Sequence, residues 1–343
     1  MSNLKLTDIA NALKLSPATI SKALKGYTDV NPQTRKKILA YTQKVGYKPQ
    51  YKASSLRTGK SGVIGVILPA FNNLYFSTVL ETLIEQASQK NVLIIPQNSK
   101  ESIALEKKHL ETLMHFGVDA IFMSLTQETA GSEHLQNLKQ SKIPIFLFDK
   151  ISKQLKCPMF YIDDRKAAFN ATNHLIEQGC RNIAHFRVSL LAQTSIDRFL
   201  GYREALDAAK IPFQKSLVYV TSHGTVEQGK AFVQSLRQQK IPFDGIFAIN
   251  DNLAIGAIDA LKGAGIDVPR EVAVMGFSNS VLSENVSPSL SSVDQGPKRI
   301  AMAMFEAFQN LDKAPYNQES FKEIIPATLV IRESSQRLSA LKT

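Results

Sequence analysis

Apolar positions along this chain follow two different rhythms. Up to about residue 48 they recur at helical spacing in short segments. Leu6, Ile9, Ala10 and Leu13 mark a first helix over about Leu6–Leu13. After the short connection Lys14-Leu15, Ser16-Pro17 reads as an N-cap followed by a proline at the first helical position. The second helix runs to about Leu24, with Ile20, Ala23 and Leu24 inward and Gly26 as its stop. Asn31-Pro32 repeats the cap-plus-proline signal, and a third helix runs to about Val45 before Gly46. From Gly62 onward the rhythm changes to apolar runs of strand length about every 25–30 residues. One series is Val63–Leu68, Val92–Ile95, Ala120–Met123 and Ile145–Phe148. A second is Ile183–Phe186, Val218–Val220, Ile246–Ile249 and Val272–Met275. Amphipathic stripes lie between them, such as Val79, Leu80, Leu83, Ile84 and Ala87. Wholly apolar strands alternating with helices predict parallel sheets covered on both faces, and two series predict two similar lobes. The expected fold is an all-α helix-turn-helix headpiece followed by an α/β, two-lobed core.

Charge changes the reading of the first segment. Residues 1–60 hold twelve Lys/Arg and two Asp/Glu, a net +10 of the chain's +11, which leaves +1 for the other 283 residues. A basic surplus confined to one end predicts a polyanionic partner. Two helices joined by so short a turn form a helix-turn-helix, whose second helix enters the DNA major groove by its N-terminal residues. Those residues are Pro17, Ala18, Ser21 and Lys22. Lys22 suits guanine O6/N7, and Pro17 and Ala18 suit a thymine methyl. Lys25, Arg35 and Lys52 are the expected phosphate contacts. Residues 49–61 read as a linker with a short helical stretch over about Lys52–Arg57. Leu56 within it is either a locally packed side chain or a wedge driven between base pairs from the minor groove.

Composition closes off other classes. The 343 residues, 44% hydrophobic and 21% charged, suit a globular protein of two or three domains. No long uncharged apolar run occurs, so neither a secretory leader nor a membrane span is expected and residence is expected to be cytoplasmic. Cys157 and Cys180 make neither a disulfide framework nor a metal set. No G-x-G-x-x-G follows the first strand, and no G-x-S-x-G or H-E-x-x-H occurs. Gly59-Lys60-Ser61 lacks the glycine a phosphate-binding loop needs, since Ser54 stands there. An enzyme, a cofactor and a metal are therefore not expected; the alternatives left are a sugar-binding protein or an α/β enzyme with a basic N-terminus of other purpose.

Ligands in such sheets bind at the carboxyl ends of the strands. The polar and aromatic residues there are Tyr75 and Phe76, Ser124, Asp149, Asn250, and Ser278 with Asn279, joined by Arg198 in Asp197-Arg-Phe-Leu-Gly-Tyr202. Forks of Asp, Asn and Arg beside aromatic faces suit a sugar, and the Arg suits a carboxylate or phosphate equally well.

Leu6-Thr-Asp-Ile-Ala10, Leu15-Ser-Pro-Ala-Thr-Ile-Ser-Lys-Ala-Leu24, Thr34-Arg35, Val45-Gly-Tyr-Lys-Pro49 and Ala53-Ser-Ser-Leu56 together resemble the DNA-binding headpiece of the lac-repressor (LacI/GalR) family. The core is similar to that family's effector-binding domain, itself like type I periplasmic binding proteins. The resemblance spans nearly the whole chain. It implies a transcriptional regulator, expected to repress sugar-utilisation genes, that binds a pseudo-palindromic operator as a homodimer. It implies that Ala53 and Leu56 belong to a hinge helix ordered on DNA, with Leu56 wedging the site centre. It implies that Asp149, Arg198 and Asn250 hydrogen-bond a small effector, and that Tyr75 and Phe76 line its apolar side. Three positions depart from the family pattern. Lys14 replaces a common glycine, Lys5 a common capping threonine, and Ser278 a common aspartate. The expected domains are 1–48, 49–61 and 62–343, with lobe 1 over about 62–160 and 292–322 and lobe 2 over about 161–291 and 323–343. Only Glu333–Thr343 follows the last strand-like segment Ala327–Arg332, too little for a tetramerising heptad seam, so a dimer is expected.

Overall fold

A computed structural model of the chain describes residues 4–24, 27–47, 60–129, 134, 143–152, 155–188, 193–221, 224–313 and 321–337. The chain divides into two compact units, 1–62 and 63–343. Most of the expected hinge, including Lys52, Ala53 and Leu56, lies outside the described residues, as does Lys25.

The first unit contains α1 (Leu6–Leu13), α2 (Pro17–Leu24) and α3 (Pro32–Lys44). Ile9, Ala10, Ile20, Ala23, Val30 and Ile38 are buried together as its small core. The two departures from the family pattern have local answers. Lys14 adopts φ +54 at the C-terminus of α1, a left-handed conformation that glycine reaches at lower cost. Lys5 cannot cap with its side chain; instead its backbone N–H donates to Asp8 Oδ2 at 2.8 Å. The remaining caps follow the sequence signals. Thr19 N–H donates to Ser16 Oγ at 3.1 Å, and Gln33 N–H to Asn31 Oδ1 at 2.9 Å.

The second unit holds two six-stranded sheets. β1 (Val63–Leu68), β2 (Leu93–Asn98), β3 (Ala120–Met123), β4 (Ile145–Phe148) and β5 (Met159–Tyr161) form the first, with α4 (Leu74–Ser88) and α5 (Ile103–Phe116) among its helices. The chain then crosses through α6 (Asp164–Glu177) into β6 (Ile183–Val188), β7 (Val218–Thr221), β8 (Gly245–Ala248), β9 (Ala273–Phe277) and β10 (Ser291–Asp294). Helices α7 (Gln193–Ala208), α8 (Val226–Gln238), α9 (Asp251–Gly263) and α10 (Leu282–Asn285) belong to this lobe. A return crossing gives α11 (Pro297–Gln309), which packs on α4, and β11 (Lys322–Ile324). A last crossing gives β12 (Thr328–Val330). The sheet orders are β11-β5-β4-β3-β1-β2 and β12-β10-β9-β8-β6-β7. Among the described residues every pairing is parallel except β10 with β12. Since β10 pairs in the second sheet and β11 in the first, these crossings fall after Asp294 and after Ile324, slightly later than 292 and 323.

Glycines set the helix spacing in the second lobe. A Cβ on Gly256 would lie 2.0 Å from the Val226 carbonyl oxygen, and one on Gly229 would lie 2.2 Å from that of Leu253. Each glycine admits the other helix's backbone, so α8 and α9 pack closely enough to carry their capping loops toward the carboxyl edge of the sheet.

Candidate functional site

The first unit presents the N-terminal end of α2 to solvent. Pro17, Ala18 and Lys22 are exposed and Ser21 is half-buried, while Ile20 and Ala23 on the opposite face are fully covered. The four expected base readers therefore share an accessible face. Lys22 Nζ is paired with Asp29 Oδ2, and both side chains are about half exposed. Arg35 is held differently from expectation: its Nη2 donates to the Tyr27 carbonyl, so it straps the α2–α3 loop rather than extending freely.

The second unit contains a cleft of about 660 Å³ between its lobes. It is lined from the carboxyl ends of β1, β2, β3 and β4 on one side and of β6, β8, β9 and β10 on the other, as this topology requires. Tyr75, Phe76, Asp149, Arg198, Asn250 and Ser278 all line it.

Asn73 starts α4, its Oδ1 accepting the Tyr75 N–H at 2.9 Å. That cap sets Tyr75 and Phe76 in the first turn, where their rings meet edge-on at 5.2 Å and Phe76 meets Phe148 at 6.3 Å. Together they form an aromatic wall. The Tyr75 hydroxyl is buried without a hydrogen-bond partner among the described residues, and burial pushes the phenol well up, reinforced by Asp149 and Asp164.

Asp149 closes β4 in a left-handed conformation, φ +56. Ser124 Oγ donates to its Oδ2 at 3.3 Å. Burial pushes its carboxyl up while Lys150 and Arg198 pull it down. Ser124 itself is fully buried and does not line the cleft. Its expected ligand contact is corrected to support of Asp149 from behind. Lys150 Nζ reaches Glu101 Oε1 at 2.5 Å, and both residues line the cleft.

Arg198 projects from α7. Its Nε donates to Asp164 Oδ1 at 2.7 Å and its Nη1 to the Ile249 carbonyl at 2.8 Å. Its guanidinium carbon lies 3.7 Å from the Phe277 ring centroid. Two of its five N–H donors are thus engaged among the described residues. Burial pushes the Asp164 carboxyl up against the pull of Arg198.

Asn250 caps α9, its Oδ1 accepting the Leu253 N–H at 2.9 Å, and its Nδ2 donates to the Gly224 carbonyl at 3.1 Å. Its second Nδ2 hydrogen makes no bond among the described residues. Ser278 Oγ donates to Gln295 Oε1 at 2.9 Å. Asn279, at φ +47, does not line the cleft; it lines a neighbouring pocket instead.

Sequence reasoning missed Asn98, Lys100, Glu101, Gln127, Lys150 and Gln295, which line the cleft, and Asp164, which holds Arg198 from behind. The strand-end rule applied to β2 and β10 would have found Asn98, Lys100, Glu101 and Gln295. Balanced donors and acceptors beside an aromatic wall suit a small molecule rich in hydroxyls. Among the described residues no group of three His, Cys, Asp or Glu is placed to hold a metal ion. Cys157 and Cys180 are free, and burial pushes both thiols up to about 12. No described helix is long and apolar enough to cross a membrane.

Two family models match the chain: bacterial regulatory proteins of the lacI family over residues 5–50, and a periplasmic binding protein-like domain over residues 172–335. The chain is 31% identical to catabolite control protein A of Priestia megaterium over 295 residues, 85% of this chain and 88% of that protein. It is 27% identical to the ribose operon repressor of Halalkalibacterium halodurans over 334 residues, 96% of this chain and 97% of that protein. Its fold matches a crystal structure of the lac repressor dimer bound to operator and an anti-inducer, with a TM-score of 0.85 at 18% identity, over 98% of this chain and 100% of that one. These relatives are regulators and not enzymes. The chain belongs to the lacI family of bacterial regulatory proteins and is a DNA-binding transcriptional regulator with a periplasmic-binding-protein-like core.

Proposed function

We propose that the protein is a cytoplasmic repressor of sugar-utilisation genes that binds a pseudo-palindromic operator as a homodimer and carries a sugar or sugar derivative in its cleft. The observation that carries this reading is the meeting of Asp149, Arg198 and the Tyr75–Phe76 wall in one cleft of about 660 Å³. Carboxylate and guanidinium satisfy hydroxyls that both donate and accept, and the rings cover a sugar's C–H face. A relative of similar length is a ribose operon repressor, which supports the sugar class without naming the effector.

In this reading Pro17, Ala18, Ser21 and Lys22 meet base edges, and Lys25 and Lys52 meet phosphates. Arg35 meets a phosphate with donors other than the one held by the Tyr27 carbonyl. Ala53 and Leu56 belong to the hinge, and the paired Leu56 side chains open the site centre. Self-association is supported by Ile84 on α4 and Leu93 at the start of edge strand β2, which are 44% and 54% exposed despite being large and apolar. The ligand acts by favouring one arrangement of the lobes and so one spacing of the two hinges.

A thermal-shift screen of sugars, sugar phosphates and nucleobases tests the ligand class. A binder at a hundredfold excess over its Kd stabilises the fold by about 2.7 kcal/mol. A sugar that raises Tm and changes operator affinity supports the reading. A regulator that responds only to a nucleobase refutes the sugar assignment.

A further inference from the structure

Five charged residues line the cleft: Lys100, Glu101, Asp149, Lys150 and Arg198. Its two inner cations are already neutralised. Asp164 holds Arg198 Nε at 2.7 Å, and Glu101 Oε1 holds Lys150 Nζ at 2.5 Å. The Lys150 side chain is only 10% exposed, and its amine lies 5.8 Å from the centroid of the Phe76 ring in the aromatic wall. Asp149 is then the one lining carboxylate without an ion pair among the described residues. The remaining cation, Lys100, is exposed. On the opposite lobe the cleft is uncharged where family members commonly place an aspartate: Ser278 stands there, its hydroxyl on Gln295 Oε1 at 2.9 Å.

Glu101 is brought to Lys150 against the backbone's preference. Lys100 and Glu101 are successive residues at φ +50 and +57, a left-handed conformation that side chains with a Cβ disfavour. Two further bonds hold the turn. Lys100 N–H donates to Asn98 Oδ1 at 3.0 Å, and Gln127 N–H donates to Glu101 Oε2 at 2.7 Å. One carboxylate thus joins the loops that follow β2, β3 and β4. An anionic ligand entering this cleft meets Asp149 directly and finds the charges of Lys150 and Arg198 already cancelled. A hydroxyl meets no such penalty, since it donates to Asp149 and accepts from an N–H.

We infer that the Glu101–Lys150 pair sets the charge selectivity of the cleft: Glu101 withholds Lys150 from anionic ligands, so the cleft takes an uncharged sugar rather than a sugar phosphate or a sugar acid. The inference rests on the sugar reading above and narrows it. Rejection here comes from a carboxylate placed against the wrong ligand as well as from contacts made to the right one.

Isothermal titration of the full chain tests this with D-glucose, D-galactose, D-fructose, D-ribose, maltose and cellobiose, and with D-glucose 6-phosphate, D-fructose 6-phosphate, D-ribose 5-phosphate and D-gluconate. At least one uncharged sugar is expected to bind saturably, and more tightly than any of the four anions by about tenfold or more. Glu101→Gln keeps an acceptor for the Gln127 N–H and frees the Lys150 charge. In that variant the ratio of anion to uncharged-sugar affinity is expected to rise about tenfold, the scale of one charge-assisted hydrogen bond. Adding Lys150→Gln is expected to cancel the rise. Melting curves check that both variants fold; a merely structural role for Glu101 would weaken every ligand alike and leave the ratio unmoved. An anion bound more tightly than every uncharged sugar overturns the inference and leaves the sugar-derivative reading standing. An unmoved ratio in Glu101→Gln, or a rise that survives the loss of Lys150, overturns it by removing the pair from selectivity. Saturable binding by none of the ten probes overturns both the inference and the sugar reading beneath it.

Discussion

Arg198 Nε donates to Asp164 Oδ1 at 2.7 Å, and both side chains are more than nine-tenths buried. The two residues are not equivalent when separated. Guanidinium stays charged at any working pH, so Asp164→Ala strands a buried cation and costs about 3–5 kcal/mol. Arg198→Ala strands a carboxyl that burial already pushes up to about 7, and it escapes by taking a proton. Denaturant melts near neutral pH are expected to show the larger loss in Asp164→Ala. An equal or larger loss in Arg198→Ala contradicts this account of the pair. Arg198→Ala is also expected to abolish the ligand response while operator binding persists.

His185 is fully buried, stacked on Tyr202 at 4.8 Å and Phe247 at 5.0 Å, with Nδ1 on the Phe247 carbonyl at 3.0 Å. Burial pushes its pKa down to about 3, from an ordinary 6.5. The folded chain thus holds it neutral where the unfolded chain protonates it. Its contribution is present above pH 6.5 and is lost as pH falls toward 3. Between pH 6.5 and 5 the loss is about 1.5–2 kcal/mol. Buried Asp149, Asp164 and Asp251 titrate in the opposite sense, so the comparison is with His185→Phe, which removes only this component. A stability difference between wild type and variant that does not change over that window shows the ring is not held neutral.

Lys22 enters the DNA contact already paired with Asp29. Lys22→Ala is expected to relax preference at particular base pairs, whereas uniform weakening on every sequence identifies a phosphate contact. Asp29→Asn releases the lysine and removes a negative charge from the face. Operator affinity is expected to rise, with the slope of log K against log salt steeper by about 0.9 if the freed amine reaches a phosphate. An unchanged slope leaves Lys22 on a base edge.

Leu56→Ala tests the hinge directly. Lost operator bending and much weaker specific binding are expected, with ligand affinity unaltered in the absence of DNA. Bending measured by electrophoretic phasing that matches wild type removes the wedge from the mechanism.

The legible parts of the molecule were those with local signals. Ser16-Pro17 and Asn31-Pro32 mark helix starts whatever surrounds them, so α2 and α3 begin where the sequence places them. The strand-end rule found Asp149 and Asn250 because β4 and β8 are uninterrupted apolar runs. β5 and β11 escaped because three residues carry no periodicity. Ser124 and Asn279 stand at strand ends as expected, yet depth and a left-handed turn remove them from the cleft. Pairs such as Lys150 with Glu101, 49 residues apart, and Arg198 with Asp164, 34 apart, have no sequence signature at all.

The measurement that bears most directly on the ligand-responsive switch is effector affinity determined with and without saturating operator DNA. Binding linkage requires that whatever factor the effector imposes on operator affinity, the operator imposes on effector affinity. The expected result is a matched change of about 5–150-fold in both directions, lost from both in Arg198→Ala. Identical effector affinity on free and operator-bound protein contradicts it.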